Sequence, residues 1–280
     1  MTAVVEKALW FIEARYGRVI SLDEIAEHIG VSRFHLSRTF PLTVGVSIST
    51  YLRGRRLTEA AKALAAGAPD ILSVALDACY GSHEAFTRAF REQFGLPPEQ
   101  LRERRSLDGL ALVEPIRFDK TLWVDLEPPR IIEGRPLLVA GLAERHDYCR
   151  AEEVPAQWQR FTPYIGTIPH GIDLAAYGIV SDLFFDSDSF QYLSGVEVTD
   201  VHDLQRELTA LRIPAQRYAV FTHPGHVSRM RATVHTIFNR EIERIGLDIG
   251  DLPNFIEYYG PGFDPEAGEG EVEIWVPLKS

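Results

Sequence analysis

Two arginines, Arg38 and Arg88, occupy the same position in two copies of one short sequence pattern. The guanidinium group of arginine can donate two hydrogen bonds to the N7 and O6 acceptors of guanine in the major groove of DNA. Three further pairs match at the same spacing: Ser32 and Ser82, Phe40 and Phe90, and Gly45 and Gly95. This repetition predicts two matched arginines that read duplex DNA in tandem.

Each copy has the pattern of a helix-turn-helix, in which a serine caps the second helix and a turn residue precedes it. In the first copy Gly30 supplies the turn, and in the second copy the turn is one residue longer. The second helix of each copy should present its polar side chains outward. These candidate DNA-reading residues are Arg33, Phe34, Ser37 and Arg38 in the first copy and His83, Glu84, Thr87 and Arg88 in the second.

A longer helical stretch from Ile48 to Ala66 joins the two copies. Its arginines, Arg53, Arg55 and Arg56, are candidates for contacts to DNA phosphates, and a solvated charged surface is the alternative. The formal net charge of the chain is −11, which by itself would argue against nucleic acid. Residues 1–105, however, carry +2 and the remaining residues carry −13. The acidity therefore belongs to the second half of the chain.

The length of 280 residues allows two domains, and 45% hydrophobic with 25% charged residues excludes a disordered or fibrous protein. No apolar run approaches the roughly 20 residues that cross a bilayer, so no membrane partner is expected. Two cysteines, Cys79 and Cys149, are too few for a disulfide framework and fit a reducing compartment. We therefore expect a cytoplasmic protein.

Residues 2–105 resemble the AraC/XylS family of bacterial transcription regulators. The resemblance rests on Ala26…Ser32-x-x-x-Leu36-Ser37-Arg38-x-Phe40, on Tyr51-Leu52-x-x-x-Arg56-Leu57-x-x-Ala60, and on Ala75…Ser82…Phe86-Thr87-Arg88-Ala89-Phe90-Arg91-x-x-Phe94-Gly95-x-x-Pro98. It implies an all-α, homeodomain-like domain with two helix-turn-helix units. A monomer would then span two successive major grooves about 34 Å apart. The position of this domain at the start of the chain is similar to the Rob-like branch of the family.

Three residues depart from the pattern of that family. Pro41 replaces the basic residue that is usual after the first reading helix, and Gly54 is expected to weaken the joining helix. Cys79 stands where the second turn normally has glycine. A cysteine strains such a turn if the backbone there needs a positive φ. Such strain would weaken the affinity of the second copy for DNA.

The acidic half repeats the order strand, helix, strand, strand. The predicted strands of the first unit are 137–142, 177–180 and 191–198 with a helix at 155–164, and those of the second are 217–222, 255–259 and 271–276 with a helix at 227–245. We therefore predict an α+β domain over residues 129–280. A linker at 106–128, which contains Glu127-Pro128-Pro129, joins it to the DNA-binding domain at 1–105.

This half resembles GyrI-like effector domains, through Tyr218-x-x-Phe221-x-His223-x-Gly225, Phe255-x-Glu257-x-Tyr259 and Glu273-Ile274-Trp275-Val276-Pro277. The resemblance implies an aromatic pocket with a buried carboxylate that receives cationic or polar small molecules. Glu257 is the candidate carboxylate, and the candidate wall residues are Trp158, Tyr192, Tyr259 and Trp275, since aromatic faces attract cations. Alternatively, Glu257 points to solvent and the aromatic side chains form an ordinary core.

Together these features predict a sequence-specific transcription regulator that binds double-stranded DNA and is modulated by a small-molecule effector, on the nucleoid in the cytoplasm. RNA polymerase is a further candidate partner. No cofactor, metal site or catalytic residue is expected, because His223 and His226 lack a third ligand and no nucleophile motif occurs. Two alternatives stay open: a GyrI-like hydrolase in which Glu257 activates water, and a ligand-sequestering protein with a weak DNA-binding domain.

Overall fold

The computed structural model describes residues 4–116, 123–183 and 188–279. Residues 117–122, which belong to the predicted linker, lie outside this described part. Residues 4–104 form an all-helical region. Its helices are α1 (Val4–Glu13), α2 (Leu22–Ile29), α3 (Arg33–Val44), α4 (Ile48–Ala65), α5 (Ile71–Asp77), α6 (His83–Phe94) and α7 (Pro98–Arg104). We call α2 with α3 the first reading unit and α5 with α6 the second, and α4 joins the two.

The two units use the same local devices. The hydroxyls of Ser32 and Ser82 accept hydrogen bonds from backbone N–H groups three residues later, which caps α3 and α6 as predicted. A residue with left-handed backbone follows each preceding helix: Gly30, at φ 77°, caps α2, and Cys79, at φ 64°, comes directly after the cap residue of α5. Cys79 therefore adopts the strained conformation that its place in the pattern predicts.

Pro41 lies inside α3, which continues to Val44, so the expectation that it follows the reading helix is wrong. Gly54 does not break α4, which is continuous from Ile48 to Ala65. A Cβ atom on Gly54 would lie only 2.7 Å from Cγ2 of Val113. Because Gly54 has no side chain, the segment that follows α7 can pack back along α4 at Val113.

The second half forms an α+β domain around an antiparallel sheet, which has eight strands within the described residues. They are β1 (Arg130–Gly134), β2 (Leu137–Asp147), β3 (Gly171–Ser181), β4 (Ser189–Val198), β5 (Thr209–Ile213), β6 (Gln216–Thr222), β7 (Phe255–Tyr259) and β8 (Val272–Pro277), in the order β1-β6-β8-β7-β3-β4-β2-β5. The two predicted strand-helix-strand-strand units are present and meet where β3 pairs with β7. Strands β1 and β5, which the sequence did not predict, extend the two edges.

The helices of this domain are α8 (Val154–Phe161), α9 (Met230–Thr236) and α10 (Ile242–Ile245), and a π-helical turn at Ile237–Glu241 joins α9 to α10. Side chains alternate between the two faces of the sheet. On β7, Phe255 packs in a cluster with the helix residues Val234 and Phe238, whereas Ile256 belongs to a cluster on the opposite face. None of the helices in the described part of the chain has the length and apolar character of a membrane span.

Candidate nucleic-acid interface and ligand site

The second reading unit presents an open polar surface on α6. Glu84, Arg88 and Arg91 are exposed, and His83 and Thr87 are half-buried beside them. These side chains line one shallow concave surface together with Glu92. On the opposite side of α6, Phe86 and Phe90 are fully buried and anchor the helix to the rest of the region. The structure therefore brings together all four residues predicted for this unit.

The charges on this surface suit the edges of base pairs. Among the described residues, no carboxylate forms an ion pair with Arg88 or Arg91. Hydrogen bonds from its own backbone N–H and from the Ser82 hydroxyl hold the pKa of Glu84 below its usual value. Glu84 is therefore an ionised acceptor, the type of group that receives a hydrogen bond from the amino group of cytosine.

The first reading unit is different, because the α+β domain covers most of α3. Arg33 and Phe34 are exposed at the start of this helix, and the Arg33 guanidinium lies 5.0 Å from the centroid of the Phe34 ring. Ser37 and Arg38 are buried. The expectation that Ser37 and Arg38 face outward is thus wrong for this structure. Its exposed fraction is 3%, because α3 packs against α9 and the π-helical turn.

Arg38 is held by the backbone that precedes β7. Its two terminal nitrogens, Nη1 and Nη2, donate hydrogen bonds to the carbonyl oxygens of Gly250 and Asp251. Burial lowers the pKa of Arg38 to about 10, an effect that the nearby Asp251 carboxylate opposes. The side chain is still protonated near neutral pH, so both donors remain committed to this contact.

The arginines of α4 have separate roles. Arg53 is exposed, as a phosphate contact requires. Arg55 is buried and forms ion pairs with Glu13 and Glu59. Arg56 donates to the carbonyl oxygens of Tyr16 and Arg18, at 2.8 and 2.7 Å. Arg55 and Arg56 therefore hold the helical region together in this structure, and Arg53 is the one of the three that is free to meet a phosphate.

The candidate ligand site lies between α8 and the sheet. Glu257 on β7 is 8% exposed, and its Oε2 atom accepts hydrogen bonds from the hydroxyls of Tyr192 and Tyr259, at 2.5 and 2.9 Å. The indole N–H of Trp158 donates to the hydroxyl of Tyr192 at 2.8 Å. The rings of Trp158 and Tyr259 meet edge to face at 5.0 Å. Three of the four predicted wall residues, Trp158, Tyr192 and Tyr259, therefore lie around the predicted carboxylate of Glu257.

Burial controls the protonation of these groups. It raises the pKa of the Glu257 carboxyl above its ordinary value, and the two tyrosine hydroxyls that donate to the carboxylate oppose this shift. Burial and the charge of Glu257 raise the pKa of Tyr192 and Tyr259 well above their usual range. Both tyrosines are therefore neutral donors, and Glu257 is the group in this site that can carry negative charge.

Trp275 lies on the other face of the sheet, so the expectation that it lines the same pocket is wrong. It stands directly opposite Ile256 in the register of β7 and β8, whereas Glu257 stands opposite Ile274. Its indole stacks on Tyr258 at 5.4 Å, and its N–H donates to the Glu273 carboxylate at 2.8 Å. The alternating direction of side chains along β8 accounts for this separation.

Gly178, which was not among the predicted site residues, lies on β3 beside the ligand site. A Cβ atom there would lie 2.1 Å from the hydroxyl of Tyr192 and 2.7 Å from Oε2 of Glu257. The missing side chain therefore provides the space in which these two groups meet. A glycine within an apolar strand is a signal of such a close approach, and Gly178 carries that signal in the sequence.

Two regions of the chain match known protein families. Residues 127–279, more than half of the chain, match the family of GyrI-like small molecule binding domains. The chain belongs to this family. Residues 25–104, which include all of the second reading unit and the first one from Ile25 onward, match a helix-turn-helix domain family. The predicted combination of an AraC-type DNA-binding region with a GyrI-like domain is therefore confirmed.

Two of the related proteins match this chain over nearly its whole length, and a third matches a shorter part of it. Transcriptional regulator Rob of Salmonella typhimurium is 24% identical over 288 residues, which cover 99% of this chain and 98% of Rob. Right origin-binding protein of Escherichia coli K12 matches with the same identity and coverage. HTH-type transcriptional activator AarP of Providencia stuartii is 32% identical over 115 residues, which cover 41% of this chain and 85% of AarP. The chain is thus an AraC-type DNA-binding regulator that carries a GyrI-like domain.

Proposed function

We propose that this chain regulates transcription by reading two adjacent major grooves, and that a hydrophobic cation bound at Glu257 modulates this binding. The observation that carries the proposal is the open face of α6, where Arg88 and Arg91 have no carboxylate partner among the described residues. The names of Rob, a transcriptional regulator, and of AarP, a transcriptional activator, support it.

The proposal assigns DNA contacts from the geometry of the reading units. Arg88 would donate to guanine, and Glu84 would accept from cytosine. Arg33 and Phe34 remain exposed in the first unit, and Arg53 would meet a phosphate. The division into a DNA-binding domain at 1–105, a linker at 106–128 and an effector domain at 129–280 belongs to the same proposal.

The ligand is proposed to be cationic because Glu257 is the charge-bearing group in a site lined by aromatic rings. A buried carboxylate among aromatics lacks a compensating charge, which an organic cation supplies while its apolar parts contact Trp158 and Tyr259. In the closed site the indole of Trp158 and the hydroxyl of Tyr192 already contact each other. Binding therefore requires Trp158 to move away from the carboxylate.

The remaining parts of the proposal follow from a role at promoters. The chain would act on chromosomal DNA in the cytoplasm, and contact with RNA polymerase would convert binding into activation, as the name of AarP suggests. It would bind its effector without chemical change. Recovery of an unaltered probe after incubation tests this last point against the hydrolase alternative.

DNA reading is tested by selecting bound duplexes from a random pool with the full chain. Arg88→Ala should weaken binding to the selected duplex by about ten- to hundredfold and relax the preference at one base pair. The matched control is Arg160→Ala, which removes an exposed arginine from the α+β domain, where Arg160 pairs with Glu144. Equal affinities for Arg88→Ala and Arg160→Ala would contradict the proposed role of α6.

Effector binding is tested with rhodamine 6G, a fluorescent hydrophobic cation. Because the pKa of Glu257 is raised, its ionised fraction grows as the pH rises through that value, and the affinity for the cation should grow with it. Glu257→Gln should bind the dye about tenfold more weakly and without this pH dependence. The same pH dependence in Glu257→Gln would rule out Glu257 as the binding carboxylate.

A further inference from the structure

The backbone of the α+β domain presents two neighbouring hydrogen-bond acceptors to Arg38, as guanine does in the major groove. The fork of the guanidinium group reaches two neighbouring carbonyl oxygens, those of Gly250 and Asp251. Guanine presents two neighbouring acceptors, N7 and O6, to an arginine in the major groove. An Arg38 that is engaged by these carbonyls cannot engage a base, because the same donors would serve both contacts.

A second contact places the carboxylate of Asp188 at the N-terminus of α4, a position where helices bind phosphate. The backbone N–H of Ser47, the cap residue of α4, donates to Oδ1 of Asp188 at 2.8 Å. The hydroxyl of Thr50 donates to Oδ2 of the same residue at 2.6 Å. The N-terminus of a helix binds anions through its free N–H groups, and DNA phosphates are often held in this way.

Further contacts join the α+β domain to α1 and α3. Asn239, in the π-helical turn, is 1% exposed; its amide oxygen accepts from the N–H of Val5 at 3.3 Å, and its Nδ2 donates to the hydroxyl of Thr43 at 2.8 Å. Lys7 of α1 pairs with Glu243 at 2.7 Å. The α+β domain is therefore attached to both α1 and α3.

We propose that the α+β domain occupies the first reading unit as an intramolecular mimic of duplex DNA, so that this domain and DNA compete for Arg38. In this closed arrangement the second unit alone is free to bind DNA. Both grooves can be read only after the contacts of Gly250, Asp251 and Asp188 have been released. This inference rests on the proposed function, since it takes α3 and α6 as DNA-reading helices.

The residues that contact Arg38 and α4 lie just before the two strands that contribute to the ligand site. Asp188 immediately precedes β4, which contributes Tyr192, and Asp251 lies a few residues before β7, which contributes Glu257. A cation that separates Tyr192 from Glu257 would displace strands whose preceding residues, Asp188 and Asp251, contact α4 and Arg38. The ligand then favours the open arrangement to the extent that it binds that arrangement more tightly.

The test uses hydroxyl-radical footprinting and affinity measurements of the full chain on a selected duplex. Asp188→Asn and Asn239→Ala each weaken the closed contact and leave every proposed DNA-reading side chain in place. Each should bind about tenfold more tightly than the wild type and extend protection from one major groove to two. The matched control is Glu144→Gln, which removes one negative charge from the α+β domain at a carboxylate that pairs with Arg160.

Two results would overturn the inference while leaving the proposed function intact. One is a wild-type footprint that already covers both grooves and loses one of them in Arg38→Ala. The other is that Asp188→Asn and Asn239→Ala, shown to be folded by circular dichroism, bind and protect the duplex as Glu144→Gln does. Loss of specific binding in every chain, including the wild type, would instead refute the proposed function and the inference with it.

Discussion

The two reading units differ in what covers them rather than in how they are built. Both second helices begin at a capping serine, and both turns use a residue with left-handed backbone. Yet Arg88 on α6 is exposed, whereas Arg38 on α3 is buried against Gly250 and Asp251. The difference shows that a repeated motif determines local structure, while access to each copy depends on the rest of the fold.

One departure from the family pattern falls on the covered helix. Pro41 is buried in α3, and its neighbour Leu42 packs against the main apolar core of the α+β domain. The basic residue that is usual near this position would be buried there without DNA to pair with, at a considerable cost in free energy. Pro41 is therefore compatible with a unit that spends part of its time covered by protein.

The largest expected effect is the difference in DNA affinity between the variants Arg38→Ala and Arg88→Ala. In ligand-free full-length protein, Arg88→Ala should weaken binding to the selected duplex by about 2 kcal/mol, because an exposed guanidinium loses its base contact. Arg38→Ala should change the affinity by less than about 0.5 kcal/mol, since its side chain is already committed to Gly250 and Asp251. Fluorescence anisotropy with labelled duplex measures both changes.

Adding rhodamine 6G sharpens this comparison. If the cation opens the covered unit, the loss caused by Arg38→Ala should grow toward that of Arg88→Ala, whereas the loss caused by Arg88→Ala should stay constant. Equal losses for both variants without the dye would mean that the two units are equally accessible, and the contrast between them would then be incorrect.

A pH dependence of stability is the next largest expected difference between the two units. His35 on α3 is 4% exposed, and burial lowers its pKa to about 4, with a further contribution from Arg38. In the unfolded chain His35 takes up a proton near pH 6.5. Its contribution to the free energy of unfolding is therefore fully present above that pH and is lost as the pH decreases toward 4. Between pH 7 and 5 the loss from this residue should be about 2 kcal/mol.

The second unit supplies the control for His35, since the matched position holds Ala85. In urea unfolding, the wild type should lose about 2 kcal/mol more than His35→Ala between pH 7 and 5. His83→Gln, which removes a half-buried histidine from α6, should retain the wild-type loss. Identical pH profiles for the wild type and His35→Ala would contradict the lowered pKa of His35 in the folded chain.

The sequence was sufficient for the local structure and for most of the ligand site. Helical and strand periodicity identified both reading units and the two strand-helix-strand-strand repeats, and Glu257 lies with three of its four predicted aromatic neighbours. The position of Trp275 required the register of β7 and β8, which the period of two alone does not supply. The burial of Arg38 depends on backbone carbonyls distant in sequence, and such acceptors leave no residue signature.

A smaller effect is expected at Gly54, in the helix that joins the two units. Alanine there should gain about 1 kcal/mol from helix propensity, but its Cβ would meet Cγ2 of Val113 at 2.7 Å. Overpacking of this kind costs about 1–3 kcal/mol, so Gly54→Ala should be destabilising by roughly 1 kcal/mol. Combining it with Val113→Ala should remove the clash and restore the gain. Additive effects of the two substitutions would exclude this contact as the cause.

The smallest effect concerns the turns, where the units differ by a single residue type. Cys79 holds a left-handed backbone that costs an L-residue about 1–2 kcal/mol, whereas Gly30 holds the same conformation without that cost. Cys79→Gly should therefore stabilise the chain by about 0.5 kcal/mol, since the greater freedom of glycine in the unfolded state offsets part of the relief. Gly30→Ala should destabilise it by about 1 kcal/mol, because a Cβ there meets no neighbour within 4 Å and strain alone acts. Opposite signs in thermal unfolding would confirm that the two turns share one geometry; destabilisation by Cys79→Gly would show that the cysteine side chain contributes packing that outweighs its backbone strain.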